Sequence, residues 1–150
     1  MKRYVCIIVM LVILLSGMSV DTHASQTDVE ILYFADGSYA TIEIITVESR
    51  ASGSITASKP YTYYNSDGVM QWKAVLKGTF TYTGTSATCT SATMDTTIYD
   101  SSWYTISRSA SKSGNMATGT ASIGERISNI TINRVPVSLT LSCSNNGSVS

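Results

Sequence analysis

The chain has 150 residues, of which 43% are hydrophobic, and its ten Lys and Arg balance its ten Asp and Glu. This length predicts a single domain. The charges form no run of either sign, which argues against nucleic acid and anionic membranes as partners, because both bind a concentrated basic surface.

The first element along the chain is a predicted secretory signal peptide. Two basic residues precede an apolar run over Val5–Leu15, which is shorter than the ~20 residues that span a bilayer, and small residues follow it. A basic start, a short apolar run and a small-residue exit are typical of such signals. We expect cleavage after Ala24, which leaves a signal peptide over 1–24 and one secreted, extracellular domain over 25–150. The alternative is an uncleaved membrane anchor.

Cleavage at this site changes the chemistry that the secreted domain contains. It removes Cys6 and also His23, which is the one histidine of the chain. Without an imidazole, the domain has neither a Ser-His-Asp nor a Cys-His nucleophile, and it has no histidine metal site. We therefore predict that it is not an enzyme and that it binds no metal and no cofactor.

Two cysteines, Cys89 and Cys143, remain in the secreted domain. In an exported chain, two cysteines most simply form one disulfide. Such a disulfide would close the loop between Cys89 and Cys143 and stabilise the fold by about 4 kcal/mol. The alternatives are two free thiols or a bridge to a partner protein.

The residues after the signal predict β-strands. In "WKAVLKGTFTY" (Trp72–Tyr82) and in "VPVSLTLSC" (Val135–Cys143), most apolar side chains share one parity and most polar side chains share the other. A period of two places one face of a strand in the core and the other in water. Pro136 has no N–H for a ladder hydrogen bond, which predicts that the last strand starts at a sheet edge or is frayed there.

Turn signals divide these residues into short strands. An Asp-Gly pair at 36–37 predicts a hairpin over 29–47, and a break in the alternation predicts a β-bulge near Ser91. The further strands are predicted over 55–64, 69–82, 85–98, 103–112, 115–123 and 129–143. Eight short strands with tight turns favour an all-β fold, in which an antiparallel meander forms a β-sandwich or a flattened barrel.

Two segments of the meander resemble each other. "TGTSATCT" (83–90) and "SGNMATGT" (113–120) both read Gly-x-x-Ala-Thr-x-Thr. We predict a two-residue hairpin loop in each, at Thr83-Gly84 and at Ser113-Gly114, with the glycine at positive φ. A phosphate-binding loop would instead lead into a helix, and neither segment does.

Aromatic residues near two turns are the candidates for a binding surface. The phase of Trp72 with its apolar neighbours predicts that it is a core residue. Adjacent strand residues face opposite ways, so one of each adjacent pair is expected to be exposed. An exposed ring can stack on a sugar or enter a partner's pocket, and packing within the fold is the alternative. The residues so proposed for binding are Tyr63, Tyr64, Trp103 and Tyr104.

Several of these segments together resemble a known group of proteins. They are the aromatic-turn-Trp unit in "YTYYNSDGVMQW", the hairpin "GTSATCT" and the closing "SLTLSC". They resemble small exported proteins of Gram-positive bacteria, which are generally domains of unknown function. The likeness covers roughly residues 53–147. It implies export and a cysteine pair, and it implies no activity.

The sequence predicts a secreted, non-enzymatic β-domain that contacts the cell envelope, a glycan or another protein through a sheet face or its turns. The alternative is a bacteriocin-like or membrane-active protein, in which a hairpin such as Lys77–Met94 exposes its apolar face to lipid. The carboxylates outside the turns (Glu43, Asp95 and Glu125) show no spacing typical of a glycosidase pair, and we interpret them as solvated surface charges.

Overall fold

The computed structural model describes residues 29–48 and 53–150 of the chain. The predicted signal peptide and its cleavage site lie outside these residues. The described residues form nine strands: β1 (Glu30–Tyr33), β2 (Tyr39–Ile42), β3 (Ile45–Glu48), β4 (Ser54–Tyr64), β5 (Met70–Tyr82), β6 (Ala87–Ile98), β7 (Trp103–Ser113), β8 (Met116–Ile127) and β9 (Ile130–Ser142). Within the described ranges, no helix has the length and apolar character needed to cross a membrane.

The strands form two antiparallel sheets. The larger sheet has the order β1-β2-β4-β5-β6, and β3 also pairs with β4. Strand β2 pairs with Tyr61–Tyr64 at one end of β4, whereas β3 pairs with Ile55–Ser58 at the other. The second arm of the predicted first hairpin is therefore interrupted at Glu43-Ile44, and it contributes two strands to one edge. The smaller sheet has the order β7-β8-β9.

The two sheets pack face to face as a β-sandwich, which confirms the all-β, antiparallel prediction. The largest fully buried side chains come from both sheets: Trp72, Leu76 and Phe80 from β5, Ile123 from β8, and Leu141 and Cys143 from β9 and its end. Those from β5 and from β9 and its end have the parities predicted for the inner faces. Full burial of an aliphatic or Phe side chain contributes about 1.5–3 kcal/mol, so this alternation accounts for much of the driving force for folding.

A β-bulge interrupts the pairing of β5 with β6, as predicted. Thr79 pairs with Ser91 and Phe80 pairs with Cys89, which leaves Thr90 as the extra residue. The Thr90 hydroxyl donates a hydrogen bond to the Thr79 carbonyl at 3.1 Å. The bulge shifts the inward parity along β6, so that Cys89 and Met94 are both buried.

Both repeated segments form hairpin loops, but their lengths differ from the prediction. In the first, Tyr82 pairs with Ala87, and the loop has four residues, 83–86, closed by a 3.0 Å hydrogen bond from Thr83 N to the Ser86 carbonyl. The predicted two-residue loop is wrong there. In the second, Ser113 pairs with Met116, so the two-residue loop lies one position later than predicted.

The predicted disulfide is not present. Cys89 and Cys143 are buried free thiols whose sulfur atoms are not within disulfide distance. The loop between β7 and β8 separates them, because Cys89 N donates to the Gly114 carbonyl and Cys143 N donates to the Asn115 carbonyl. Each sulfur instead contacts a carbonyl one or two residues further along the chain, at 3.2 Å for Cys89 and 3.4 Å for Cys143. The alternative of two free thiols describes the structure.

Candidate binding surfaces

Four turns meet at one end of the sandwich, which we call the turn end. They are the β1–β2, β4–β5, β6–β7 and β8–β9 connections. Backbone hydrogen bonds link them: Tyr99 N donates to the Gln71 carbonyl at 2.9 Å, and Arg126 N donates to the Ser102 carbonyl at 2.8 Å. The β5–β6 and β7–β8 loops lie at the opposite end.

A cluster of aromatic rings fills the core beneath the turn end. Tyr63 stacks on Trp72 with ring centroids 5.0 Å apart, and it contacts Trp103 at 5.2 Å and Phe34 at 5.5 Å. Tyr61 stacks on the same Trp72 at 5.5 Å. Both tryptophans and both tyrosines are buried. The core position predicted for Trp72 is confirmed, and two proposed binding residues, Tyr63 and Trp103, are core residues as well.

A row of three tyrosines, one exposed (Tyr33) and two half-buried (Tyr39 and Tyr64), crosses the outer face of the larger sheet. Tyr33 of β1 pairs with Tyr39 of β2, which pairs with Tyr64 of β4. The Tyr39 and Tyr64 rings are stacked 4.8 Å apart, and Tyr33 lies 6.1 Å from Tyr39. Tyr33 is 76% exposed, whereas Ala40, the neighbour of Tyr39, is fully buried. We call this row the tyrosine ladder.

Tyr104, the fourth proposed binding residue, lies on the outer face of the smaller sheet. Its hydroxyl shares a 2.6 Å hydrogen bond with the Thr131 hydroxyl. The Arg126 guanidinium lies 5.4 Å from its ring centroid, and a Cβ added at Gly124 would approach its ring to 2.8 Å. The structure therefore does not bring the four proposed residues into one site, because Tyr64 and Tyr104 lie on different sheets.

The tyrosine ladder contains one predicted residue, Tyr64, and two that the sequence reasoning missed. A usable signal was present. The Asp-Gly turn at 36–37 sets the pairing of the first hairpin, and that pairing places Tyr33 opposite Tyr39. The pairing of β2 with β4 could not be read in the same way, because the loop between them is long and β3 intervenes.

A pocket of about 130 Å³ opens at the turn end, and we call it the polar pocket. Its lining includes Asp36, Ser38, Tyr63, Gln71, Trp103 and Glu125. Two hydrogen bonds run through it: the Tyr63 hydroxyl donates to Ser38 Oγ at 2.8 Å, and the Ser38 hydroxyl donates to Asp36 Oδ1 at 2.5 Å. Two of the four binding residues predicted from the sequence, Tyr63 and Trp103, line this pocket.

Electrostatics in the polar pocket follow from this hydrogen-bond chain. The hydrogen bonds from Ser38 lower the pKa of Asp36, so this carboxylate is charged at neutral pH. Burial raises the pKa of Tyr63, and the negative charges of Asp36 and Glu125 raise it further, while the hydrogen bond with Ser38 lowers it. Glu125, interpreted from the sequence as a plain surface charge, thus faces a pocket.

The β8–β9 hairpin extends beyond β7 as a two-stranded projection, which we call the isoleucine finger. Ile127 pairs with Ile130, and Ile132 is the extra residue of a bulge. These three side chains are 61%, 68% and 53% exposed, respectively. The loop residues Ser128 and Asn129 have φ values of 47° and 66°, as a type I′ turn requires.

Comparison with known protein families, with curated proteins and with solved structures finds no match for this chain. The resemblance to exported Gram-positive proteins therefore remains a prediction. Among residues 29–48 and 53–150, no three His, Cys, Asp or Glu side chains are grouped so that they could hold a metal ion. The function has to be inferred from the surfaces themselves.

Proposed function

We propose that this chain is a non-enzymatic extracellular binding module that contacts a glycan of the cell envelope through the tyrosine ladder. The observation that carries the proposal is the row of three cross-strand tyrosines with its outermost ring largely in solvent. Aromatic rings present a negative π face. The C–H groups on one face of a sugar ring are a complementary surface. Tyr33 is the ring most open to such stacking, because Tyr39 and Tyr64 stack on each other.

The dimensions of the ladder favour an oligosaccharide over a single sugar. Neighbouring strands lie ~4.8 Å apart, so three rings on three strands extend over roughly 10 Å. Thr41 lies on the same face, two residues along β2 from the ladder, and is half-buried, whereas its partner Thr62 is buried. The Thr41 hydroxyl is suited to sugar hydroxyls, which both donate and accept hydrogen bonds.

The carboxylates support binding more than hydrolysis. A glycosidase needs a general acid with a raised pKa, whereas the pKa of Asp36 is lowered. Asp95 is exposed and forms an ion pair with Arg108 at 3.6 Å. No imidazole is present in the described residues to serve instead.

The ladder is tested by pull-down of the purified protein on insoluble cell-wall material and on its polysaccharide fraction. Each aromatic contact of this kind contributes about 0.5–1.5 kcal/mol, so we expect Tyr33→Ala to weaken retention by about 2- to 10-fold. Tyr99→Ala is the matched control, because Tyr99 is an exposed tyrosine outside the ladder. Equal losses in both variants, or no retention of the unmodified protein, would overturn the proposal.

A second candidate function is contact with a membrane, and the isoleucine finger favours it. The hairpin suggested by the sequence, Lys77–Met94, is an unsuitable membrane element, because β5 lies between two strands and its apolar side chains form the core. The finger, in contrast, exposes three isoleucines without any unfolding. Arg126 lies in the finger and Arg134 lies at its base, with no acidic residue between them.

A further inference from the structure

We infer that the polar pocket is a binding site for a primary ammonium group. The inference is independent of the tyrosine ladder, since it rests on different residues between the sheets. Asp36 and Glu125 both line the pocket, and no Lys or Arg does. Because the pKa of Asp36 is lowered, this part of the pocket keeps its negative charge through the neutral range, and a cation is the complementary ligand.

The hydrogen-bonding groups of the pocket favour a ligand that donates hydrogen bonds. Both buried hydroxyls already donate hydrogen bonds within the protein, from Tyr63 to Ser38 and from Ser38 to Asp36. In contrast, Asp36 Oδ2 accepts no hydrogen bond from the described residues. The free acceptors are therefore better matched by N–H groups than by another carbonyl or carboxylate.

Gln71 gives a second, independent indication of a ligand. Its side chain lines the pocket and is only 7% exposed. Gln71 Nε2 donates to the Val69 carbonyl at 3.0 Å, which fixes which end of the carboxamide is the oxygen. Within the described part of the chain, Oε1 has no hydrogen-bond partner. Oε1 is not sealed from solvent, so it is open to the pocket and can accept a hydrogen bond from a bound ammonium N–H.

The aromatic lining favours a cation over a neutral donor. Tyr63 and Trp103 lie 5.2 Å apart with their ring planes tilted by 58°, and Trp103 pairs directly with Glu125 across β7 and β8. An ammonium group beside these rings gains a cation–π contact in addition to the carboxylates. The volume of about 130 Å³ is large enough for an alkylammonium group.

The site is tested with ethylammonium chloride as the probe in an NMR titration of the full chain. We expect saturable shifts of the Trp103 indole N–H and the Gln71 side-chain amide. Sodium chloride, ethanol and tetramethylammonium chloride serve as controls for ionic strength, for a neutral group of similar size and for a cation without N–H donors. Shifts of the same size with any of these three would overturn the inference, as would saturable binding of Ca²⁺ with no response to the amine.

A charge-neutral variant separates the pocket from general electrostatics. Glu125→Gln keeps the shape of the side chain, and we expect it to weaken ethylammonium binding about tenfold, which corresponds to about 1.4 kcal/mol. Asp95→Asn, which removes an exposed carboxylate outside the pocket, and Tyr33→Ala, which alters only the ladder, are both expected to bind as the unmodified protein does. Equal weakening by Glu125→Gln and Asp95→Asn would overturn the site and leave the glycan proposal standing.

Discussion

At the scale of single residues, Gly119 shows how tightly the two sheets interlock. A Cβ added to it would lie 2.8 Å from Met94 Sδ and 2.9 Å from Leu76 Cδ1. Glycine to alanine in a strand normally stabilises a protein by about 0.4–1 kcal/mol, but overpacking a core costs about 1–3 kcal/mol. Since Leu76 is fully buried and has little room to move, we expect Gly119→Ala to lower the free energy of unfolding in urea.

A relieving change in the opposite sheet provides the control for Gly119→Ala. Met94→Ala in the same chain would make space for the new methyl group, so the loss in the double variant should be smaller than the sum of the two single losses. If Gly119→Ala alone is as stable as the unmodified protein, the core accommodates the methyl group and the packing argument is wrong.

The sequence predicts some single residues well and others not at all. The inward positions of Trp72 and Leu141 follow from alternation along their own strands. The requirement for glycine at position 119 does not, because it arises from side chains on two strands of the other sheet. The same limit explains the cysteines: alternation places both sulfurs in the core, but it gives no distance between residues on different sheets.

At the scale of elements, the isoleucine finger is the part of the fold most suited to touch lipid. Ile130→Ser removes the most exposed of its three apolar side chains. Full burial of an Ile side chain contributes about 1.5–3 kcal/mol, and partial burial in a lipid interface should contribute a fraction of that free energy. We therefore expect Ile130→Ser to reduce vesicle binding, measured by co-sedimentation, at least about threefold. Val47→Ser, an exposed position on β3, should bind as before.

Lipid charge and dye release distinguish the modes of contact. Each Arg near an anionic surface contributes about 1 kcal/mol, so Arg134→Gln should weaken binding to anionic vesicles about fivefold and leave binding to neutral vesicles unchanged. Release of a trapped dye at low protein concentration would indicate a membrane-active protein. Binding that is unaffected by both Ile130→Ser and Arg134→Gln would exclude the finger as the contact.

Elements were the most predictable level of this structure. The strands near 55–64, 69–82 and 103–112 match the observed β4, β5 and β7 within a residue or so at each end, because turn residues and alternation are both local signals. The interruption at Glu43-Ile44 and the four-residue loop at 83–86 were not predicted. Both depend on backbone pairing with a neighbouring strand, which the residues of the segment itself do not determine.

At the scale of the whole molecule, two questions left open by the sequence have answers in the packing. A sandwich and a flattened barrel share the same strand pattern, and the choice depends on whether β6 and β7 form a ladder. They do not, since the Asp100 turn takes the chain from one sheet to the other. Side chains join them instead, through the Thr96–Thr105 hydrogen bond at 2.8 Å and the Arg108–Asp95 ion pair.

The packing also predicts that the folded state is sensitive to alkaline pH. Burial raises the pKa of Tyr61 to about 12, and it raises the pKa values of Cys89, Cys143 and Tyr63 as well. In the unfolded chain these groups ionise near their ordinary values of about 8.5 for Cys and about 10 for Tyr. Between the unfolded and folded pKa values only the unfolded state loses the protons, so its free energy falls relative to the folded state.

We therefore expect the urea midpoint to be constant from about pH 6 to 8, and to fall steadily above about pH 8.5 as thiols and then tyrosines ionise in the unfolded state.

On the acid side, the lowered pKa values of Asp36 and Asp100 give stability that is lost as the pH falls below about 4. That loss of stability should be smaller than the alkaline one, because both carboxylates are exposed and screened by solvent.

The alkaline limb is tested with two tyrosine variants. Tyr61→Phe should reduce the decline of the urea midpoint above pH 10, whereas Tyr99→Phe at an exposed position should not. A midpoint that stays constant to pH 11 would show that these groups ionise as readily in the folded protein as in the unfolded chain, and that the core between the sheets admits water.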